Sequence, residues 1–282
     1  ELFDSIVPIL LDKVREGVEV RILCDGMGGR FMPKKRWDQM RSAGIKVGVF
    51  FPPFLGWLNL RVNYRNHRKI VVVDGNTGFV GGFNIGREYI SRDPRFGYWR
   101  DTHLEIKGEA AISLQIRFAL DWNYVTGENL FKEIRYFGEE AEYARRRLKG
   151  QIHAVWPDPD HVNEMVCMQI ITSGPDTREP HIRNNYLELF HKAKHHIYIQ
   201  TPYFIPDDAI FSSLKIAALS GVDVRLMIPC KPDHPFVYWA TCSYAGELLD
   251  YGARVYVYEN GFLHSKGIMI DGRVSCYGTA NM

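Results

Sequence analysis

The 282-residue chain has no run of about 18 consecutive apolar residues, so no stretch of it reads as a membrane-spanning helix. It also lacks a signal-peptide pattern. Its five cysteines, Cys24, Cys167, Cys230, Cys242 and Cys276, are odd in number and scattered, with no C-x-x-C pair, which fits neither a disulfide framework nor a zinc site. They read as reduced thiols in a cytoplasm-like compartment. A strong charge imbalance is missing too: a formal net charge of +2 at pH 7 is too mild to imply a nucleic-acid partner. No histidines and carboxylates cluster at ligand spacing, so neither a metal nor another cofactor is expected. At 46% hydrophobic residues the chain can bury one large or two medium cores, which excludes disorder as the default.

What is present is a duplication. Residues 66–86 read NHRKIVVVDGNTGFVGGFNIG and residues 262–282 read FLHSKGIMIDGRVSCYGTANM. His67, Lys69, Asp74, Gly81, Gly82 and Asn84 stand at the same intervals as His264, Lys266, Asp271, Gly278, Thr279 and Asn281. Two further pairs precede each motif in the same order: GVEVR (17–21) with GVDVR (221–225), and AGIKV (43–47) with YGARV (251–255). The halves are therefore copies of one α/β unit, in which a helix, a glycine stop and a buried strand recur. In the second copy the helix near Asp207–Ser220 follows an apolar strand, His196–Tyr203, whose counterpart would lie before Glu1. The first copy continues past Asn84 into structure whose counterpart would lie after Met282, so the expectation is a chain clipped at both ends.

His67 and Lys69 open an apolar strand that ends at the Asp74-Gly75 turn. Residues two apart on a strand share a face, so imidazole and ammonium point into one cleft. Gly81 and Gly82 permit close approach, and Asn84 adds an amide. A single His-x-Lys is most often structural or solvated; two copies with the same trailing Gly and Asn make a site. The chemistry suits a phosphodiester, whose displacement needs cations around the phosphoryl oxygens, a nucleophile in line and an acid behind the leaving oxygen. Two facing sets supply two cations, two amides and two histidines able to attack or to carry protons near neutrality.

With these motifs the chain resembles the phospholipase D superfamily, and the strings NHRKIVVVDG, GGFNIG, GYWRDTHLEIKG, IQTPYFIPDD, GFLHSKGIMIDG and GTANM are similar to bacterial cardiolipin synthases within it. The resemblance spans essentially the whole chain. It implies an α/β fold of two similar phospholipase D-like α/β/α sandwich domains related by a pseudo-twofold axis, with the active site at their interface. The expected domains are 1–126 and 161–282, joined by a solvated connecting segment, 127–160. The implied reaction moves a phosphatidyl group between two phosphatidylglycerol molecules through a phosphohistidine, giving cardiolipin and glycerol. His67 is then the nucleophile and His264 the acid/base, or the reverse, with Lys69, Lys266, Asn84 and Asn281 holding the phosphate. An anionic phospholipid and a membrane surface are the implied partners, and the implied location is the bacterial cytoplasmic membrane, reached through an N-terminal anchor outside this chain. Two other readings stand: phosphodiester hydrolysis by the same site on a lipid or on nucleic acid, and a non-catalytic lipid-surface module.

The carboxylates divide. Asp74 and Asp271 complete the motifs and count among the catalytic candidates, yet they lie past a turn, so pairing with lysine or fixing the turn competes with any contact to the imidazoles. Asp101 is the candidate for orienting His67, against an ion pair with Arg100 or another basic neighbour. By the same logic the partner of His264 would fall beyond Met282. Among peripheral features, Lys34, Lys35 and Arg36 read as a solvated helix face over Trp37 and Met40 in preference to a phosphate contact. Phe54, Leu55, Trp57 and Leu58 lie beyond two prolines, either tucked onto the core or forming a lip against lipid tails. Arg145, Arg146, Arg147 and Lys149 read as an exposed helix end or a headgroup contact. His191, His195 and His196 read as surface residues rather than a metal site. Tyr203 and the loop Cys230–His234 are expected to border the cleft.

Overall fold

The computed structural model describes residues 2–30, 32–51, 65–137, 166–174 and 176–282. The second half shows the repeat unit in full. Its elements are α4 (His181–Lys192), β7 (His196–Gln200), α5 (Asp208–Leu219), β8 (Asp223–Pro229), α6 (Pro235–Leu249), β9 (Arg254–Tyr258), β10 (Phe262–Leu263), β11 (Gly267–Ile270) and β12 (Val274–Tyr277). Strands β7, β8 and β9 are parallel, β11 runs antiparallel to β7 and β12, and the sheet order is β12-β11-β7-β8-β9. Alternation along β7 and β8 sends Ile197, Ile199, Val224, Leu226 and Ile228 into a core shared with Phe190, Leu214 and Leu248 of the helices. Gly221 supplies the left-handed φ of 90° that ends α5, and Asp207 caps its start by accepting the Ile210 N–H at 2.9 Å.

The first half repeats this order as α1 (Leu2–Arg15), β1 (Arg21–Asp25), α2 (Lys34–Ser42), β2 (Lys46–Phe50), β3 (Ile70–Val73) and β4 (Thr77–Gly81). It continues with β5 (Trp99–Arg100), β6 (His103–Lys107) and α3 (Glu109–Thr126). Among the described residues its strands form two sheets, β1-β2 and β3-β4-β6. Among the described residues no strand stands between them in the place that β7 takes in the second half. Met40 is fully buried against Val7 and Ile45, with Trp37 half-buried beside them, as the α2 pattern implies.

Within the expected connector 127–160, Leu130 and Phe137 bury against Ala119 and Trp122, and Glu128 accepts from Trp122 Nε1 at 2.9 Å and pairs with Arg21. Short 3-10 turns at Leu130–Lys132 and Ile134–Tyr136 make this return possible. The arginine run 145–147 with Lys149, and the apolar segment of Phe54, Leu55, Trp57 and Leu58, lie outside the described residues.

The two halves meet edge to edge. Strand β5 of the first pairs in parallel with β10 of the second, Trp99 opposite Phe262 and Arg100 opposite Leu263. Trp99, Phe262 and Leu263 are each at most 6% exposed, so this two-residue pairing lies within a packed interface. Gly261 is obligatory there. Its φ is 101°, and a Cβ would stand 2.0 Å from the Tyr98 carbonyl oxygen.

Candidate active site at the junction of the halves

Each histidine stands just before a motif strand, and each lysine curls back on it. Lys69 Nζ donates to the His67 carbonyl at 2.8 Å, and Lys266 Nζ donates to the His264 carbonyl at 2.6 Å. The copies differ in access. His264 and Lys266 are 6% and 5% exposed, whereas His67 is open to the cleft and Lys69 half-buried. Both histidines line one cavity of about 480 Å³, together with Asn84 and Asn281.

The hydrogen bonds fix the tautomers. His67 Nδ1 lies 3.1 Å from the carbonyl oxygen of Thr279, a group that only accepts, so Nδ1 carries the proton and Nε2 keeps its lone pair. His264 Nδ1 lies 2.6 Å from Asp101 Oδ2, so Nδ1 keeps its proton whether the ring is neutral or charged, and Nε2 is the atom left to exchange a proton with substrate. The Lys266 ammonium stands 3.1 Å from both imidazole nitrogens of His264, beside the ring rather than in line with either lone pair.

Asp101 is therefore the partner of His264, which corrects the expectation that it orients His67. The cause is the β5–β10 pairing, which carries the end of β5 into the second half. There the N–H groups of His264 and Ser265 donate to the Arg100 carbonyl at 2.8 and 3.1 Å, and the hydroxyls of Thr102 and Ser265 meet at 2.7 Å. Nor does Asp101 take Arg100 as an ion-pair partner, because Arg100 Nη1 donates to the Asp101 backbone carbonyl. Gly82 explains itself at the same place. A Cβ there would lie 2.1 Å from Asp101 Oδ1, so the motif's second glycine makes room for the carboxylate. In the second copy Thr279 occupies that position and its carbonyl receives His67 instead.

Asp271 and Asp74 stand away from the chemistry. Asp271 accepts the N–H groups of Lys194, His195 and His196, each at 2.8 Å, and these bonds hold its carboxyl down at about 2. It ties the start of β7 to the β11–β12 turn, where its own φ is 53°. Asp74 sits at the matching β3–β4 turn with φ 52°, and neither carboxylate lines a cavity that touches the histidines. The motif aspartates hold turns because the strand that follows each lysine spans the sheet and carries them to its far end.

Crowding and like charge depress the basic groups. Burial first, then Lys69 and Lys266, push His67 down to about 4. Burial and Lys266 bring Lys69 to about 7, while burial, opposed by Asp101 and Asp233, brings Lys266 to about 8. For His264, too, burial lowers the pKa and Asp101 opposes it.

A second cavity, of about 1130 Å³, opens on the other side of His67 and Asn281. Its walls are largely apolar, with Phe50, Ile70, Leu114, Ile171 and Ile210. Below His67, Arg68 reaches Asp121 at 3.2 Å, and Asn66 Nδ2 donates to the same carboxylate at 3.1 Å. Asp121 is 4% exposed and also pairs with Arg117, which binds Asp176 at 3.0 Å. Sequence reasoning missed this network. Two charged residues one turn apart, Arg117 and Asp121, on an otherwise apolar helix face were the available signal. It also missed Tyr89, whose hydroxyl accepts from Asn84 Nδ2 and whose ring packs against His264. Tyr203, Asp233 and His234 do border the cleft as expected. His191 and His195 are exposed, His196 stacks on Tyr198, and no group that could hold a metal occurs among the described residues.

A duplicated α/β unit with a His-x-Lys pair from each copy at the junction defines a protein of the phospholipase D class. The family described as "Cardiolipin synthase, PLD-like domain" matches residues 3–103 and 186–282, and the chain belongs to it. It is 48% identical, over all of its length, to the major cardiolipin synthase of Bacillus subtilis, and 51% identical over 96% of its length to cardiolipin synthase 2 of Staphylococcus epidermidis. It covers 55% and 51% of those proteins, so it spans about half the length of the curated relatives it matches. Among solved structures it is similar in fold to the phosphatidylserine synthase of Haemophilus influenzae. The TM-score is 0.63 at 16% identity, covering 97% of this chain and 68% of that one.

Proposed function

We propose that the protein containing this chain is a phosphatidyltransferase that joins two phosphatidylglycerol molecules into cardiolipin and releases glycerol. The observation that carries the reading is the pair of oriented imidazoles with a cavity of opposite character on either side. His67 faces the apolar cavity, which suits the diacylglycerol portion of a lipid; His264 faces the polar one, which suits an alcohol. His67 Nε2 is the nucleophile, unprotonated at neutral pH, and attacks phosphorus. His264, braced by Asp101, gives its proton to the departing glycerol oxygen and takes one from the incoming hydroxyl. Lys69, Lys266, Asn84 and Asn281 hold the phosphoryl oxygens.

A phospholipid substrate supports a location at the bacterial cytoplasmic membrane. Phe236 and Trp239, 81% and 62% exposed, pack edge to face at the start of α6, directly after Asp233 and His234 of the polar cavity. An exposed aromatic pair beside a cleft suits the lipid–water boundary. No helix among the described residues is long and apolar enough to cross a membrane. The test is incubation of the full-length protein with vesicles of labelled phosphatidylglycerol. Cardiolipin with glycerol in equal amount is expected; phosphatidic acid as the sole lipid product shows a hydrolase, and no product leaves only a binding role.

A further inference from the structure

The polar cavity holds an acidic group, Asp233, that supports the charge of Lys266 yet turns its oxygens to hydroxyl and backbone donors rather than to a cation. Asp233 lies in the loop between β8 and α6, on the side of the cleft where His264 stands. A carboxylate next to an anionic substrate repels it, so its presence calls for donors that the phosphate does not provide. The surrounding protein supplies two. The Tyr203 hydroxyl donates to Asp233 Oδ2, and the His234 N–H donates to Oδ1 at 2.8 Å. Each oxygen retains a further lone pair, and Asp233 is only half-buried, so both remain available to a ligand in the cavity. Opposite, Asn84 donates its amide to Tyr89 Oη, which leaves the Tyr89 proton free to donate to a ligand. The cavity's arginines do not neutralise Asp233: Arg95 and Arg87 both turn to Asp93.

Resting on the function proposed above, we infer that Asp233, held by Tyr203, binds the free hydroxyls of a polyol headgroup. It thereby selects glycerol-bearing lipids over lipids whose alcohol carries no further hydroxyl. In the first step the bond from phosphorus to the glycerol oxygen breaks, the bond from phosphorus to His67 Nε2 forms, and the Nε2 proton of the His264 imidazolium goes to the departing oxygen, leaving His264 neutral. The glycerol hydroxyls stay on Asp233 and keep that oxygen within reach of His264. In the second step a primary hydroxyl of another glycerol headgroup enters the same place, gives its proton to His264 and displaces His67. One subsite thus reads the leaving and the entering alcohol, which are chemically alike.

The test uses full-length protein and vesicles of two lipids with the same acyl chains, phosphatidylglycerol and phosphatidyl-1-propanol, whose headgroups have equal carbon counts. First-turnover release of labelled glycerol and of labelled propanol isolates the donor step. Wild type favours glycerol release, and Asp233→Ala and Tyr203→Phe each lower the glycerol-to-propanol ratio about tenfold or more. A ratio within about twofold of wild type in both variants, whatever their absolute rates, overturns the inference while leaving the transferase reading intact. Because the ratio compares two substrates on the same protein, partial unfolding cancels from it. Tyr203→Phe also keeps the carboxylate that caps His234, so it serves if Asp233→Ala does not fold. Release of neither alcohol by wild type overturns the proposed function and the inference with it.

Discussion

Replacing Asp101 by Asn keeps the shape of the side chain and removes its charge, which isolates what the carboxylate does for His264. The pair is sealed: the Asp101 side chain is 0% exposed and that of His264 8%, so no water takes the place of the lost interaction. A hydrogen bond to a charged group contributes about 1.5–3 kcal/mol. At about 1.36 kcal/mol per tenfold in rate, kcat falls roughly 10- to 150-fold. The loss appears in kcat rather than KM, because Asp101 acts on the imidazole that moves the proton while the phosphate is held by other groups. Without the carboxylate the His264 pKa drops, so the alkaline limb of kcat moves to lower pH. The assay is steady-state cardiolipin formation by the full-length variant on phosphatidylglycerol vesicles across pH, with thermal melting to confirm folding. A folded Asp101→Asn variant with kcat within about twofold of wild type, or an unmoved pH limb, refutes the role assigned to the pair.

Two other outcomes follow from the charges in the site. With Lys69 at about 7 and Lys266 at about 8, and both needed as cations, kcat/KM falls as pH rises through that interval. Lys69→Arg keeps its charge and moves this limb upward; an unchanged limb in an active Lys69→Arg variant contradicts the assignment. Asp271→Ala lowers the melting temperature at pH 7 by freeing three backbone N–H groups, and leaves kcat of the folded protein within about twofold. Since the folded carboxyl is depressed from 3.8 to about 2, this stabilisation is present above the unfolded value and lost as pH falls through that range, so wild type and variant converge in acid.

The repeat made much of the fold legible. Matching GVEVR with GVDVR and AGIKV with YGARV locates β1 against β8 and β2 against β9, because a glycine stop before a buried strand is a local signal. The clustering of His67, Lys69, His264 and Lys266 was legible for the same reason. What crossed between copies was not. Strands β5 and β10 have two residues each, too short for any period, and they decide which histidine Asp101 meets. Symmetry reasoning paired Asp101 with the motif nearest in sequence; the parallel β5–β10 contact paired it with the other. The far position of Asp74 and Asp271 follows from strand length, since four residues of β3 or β11 separate each lysine region from its turn. The return of Leu130 and Phe137 onto α3 was masked by the charged residues around them.

The exchange of Asp101 across the junction constrains the chain's history as well as its chemistry. After a duplication, two self-sufficient copies are free to diverge, and one can decay while the other carries the work. Here the acid sits in one copy and the base it braces in the other, and Thr279 of the second copy returns a carbonyl to His67 of the first. Loss at either position leaves its counterpart stranded in the opposite copy, so the two halves inherit a shared fate and neither can be discarded as a spare.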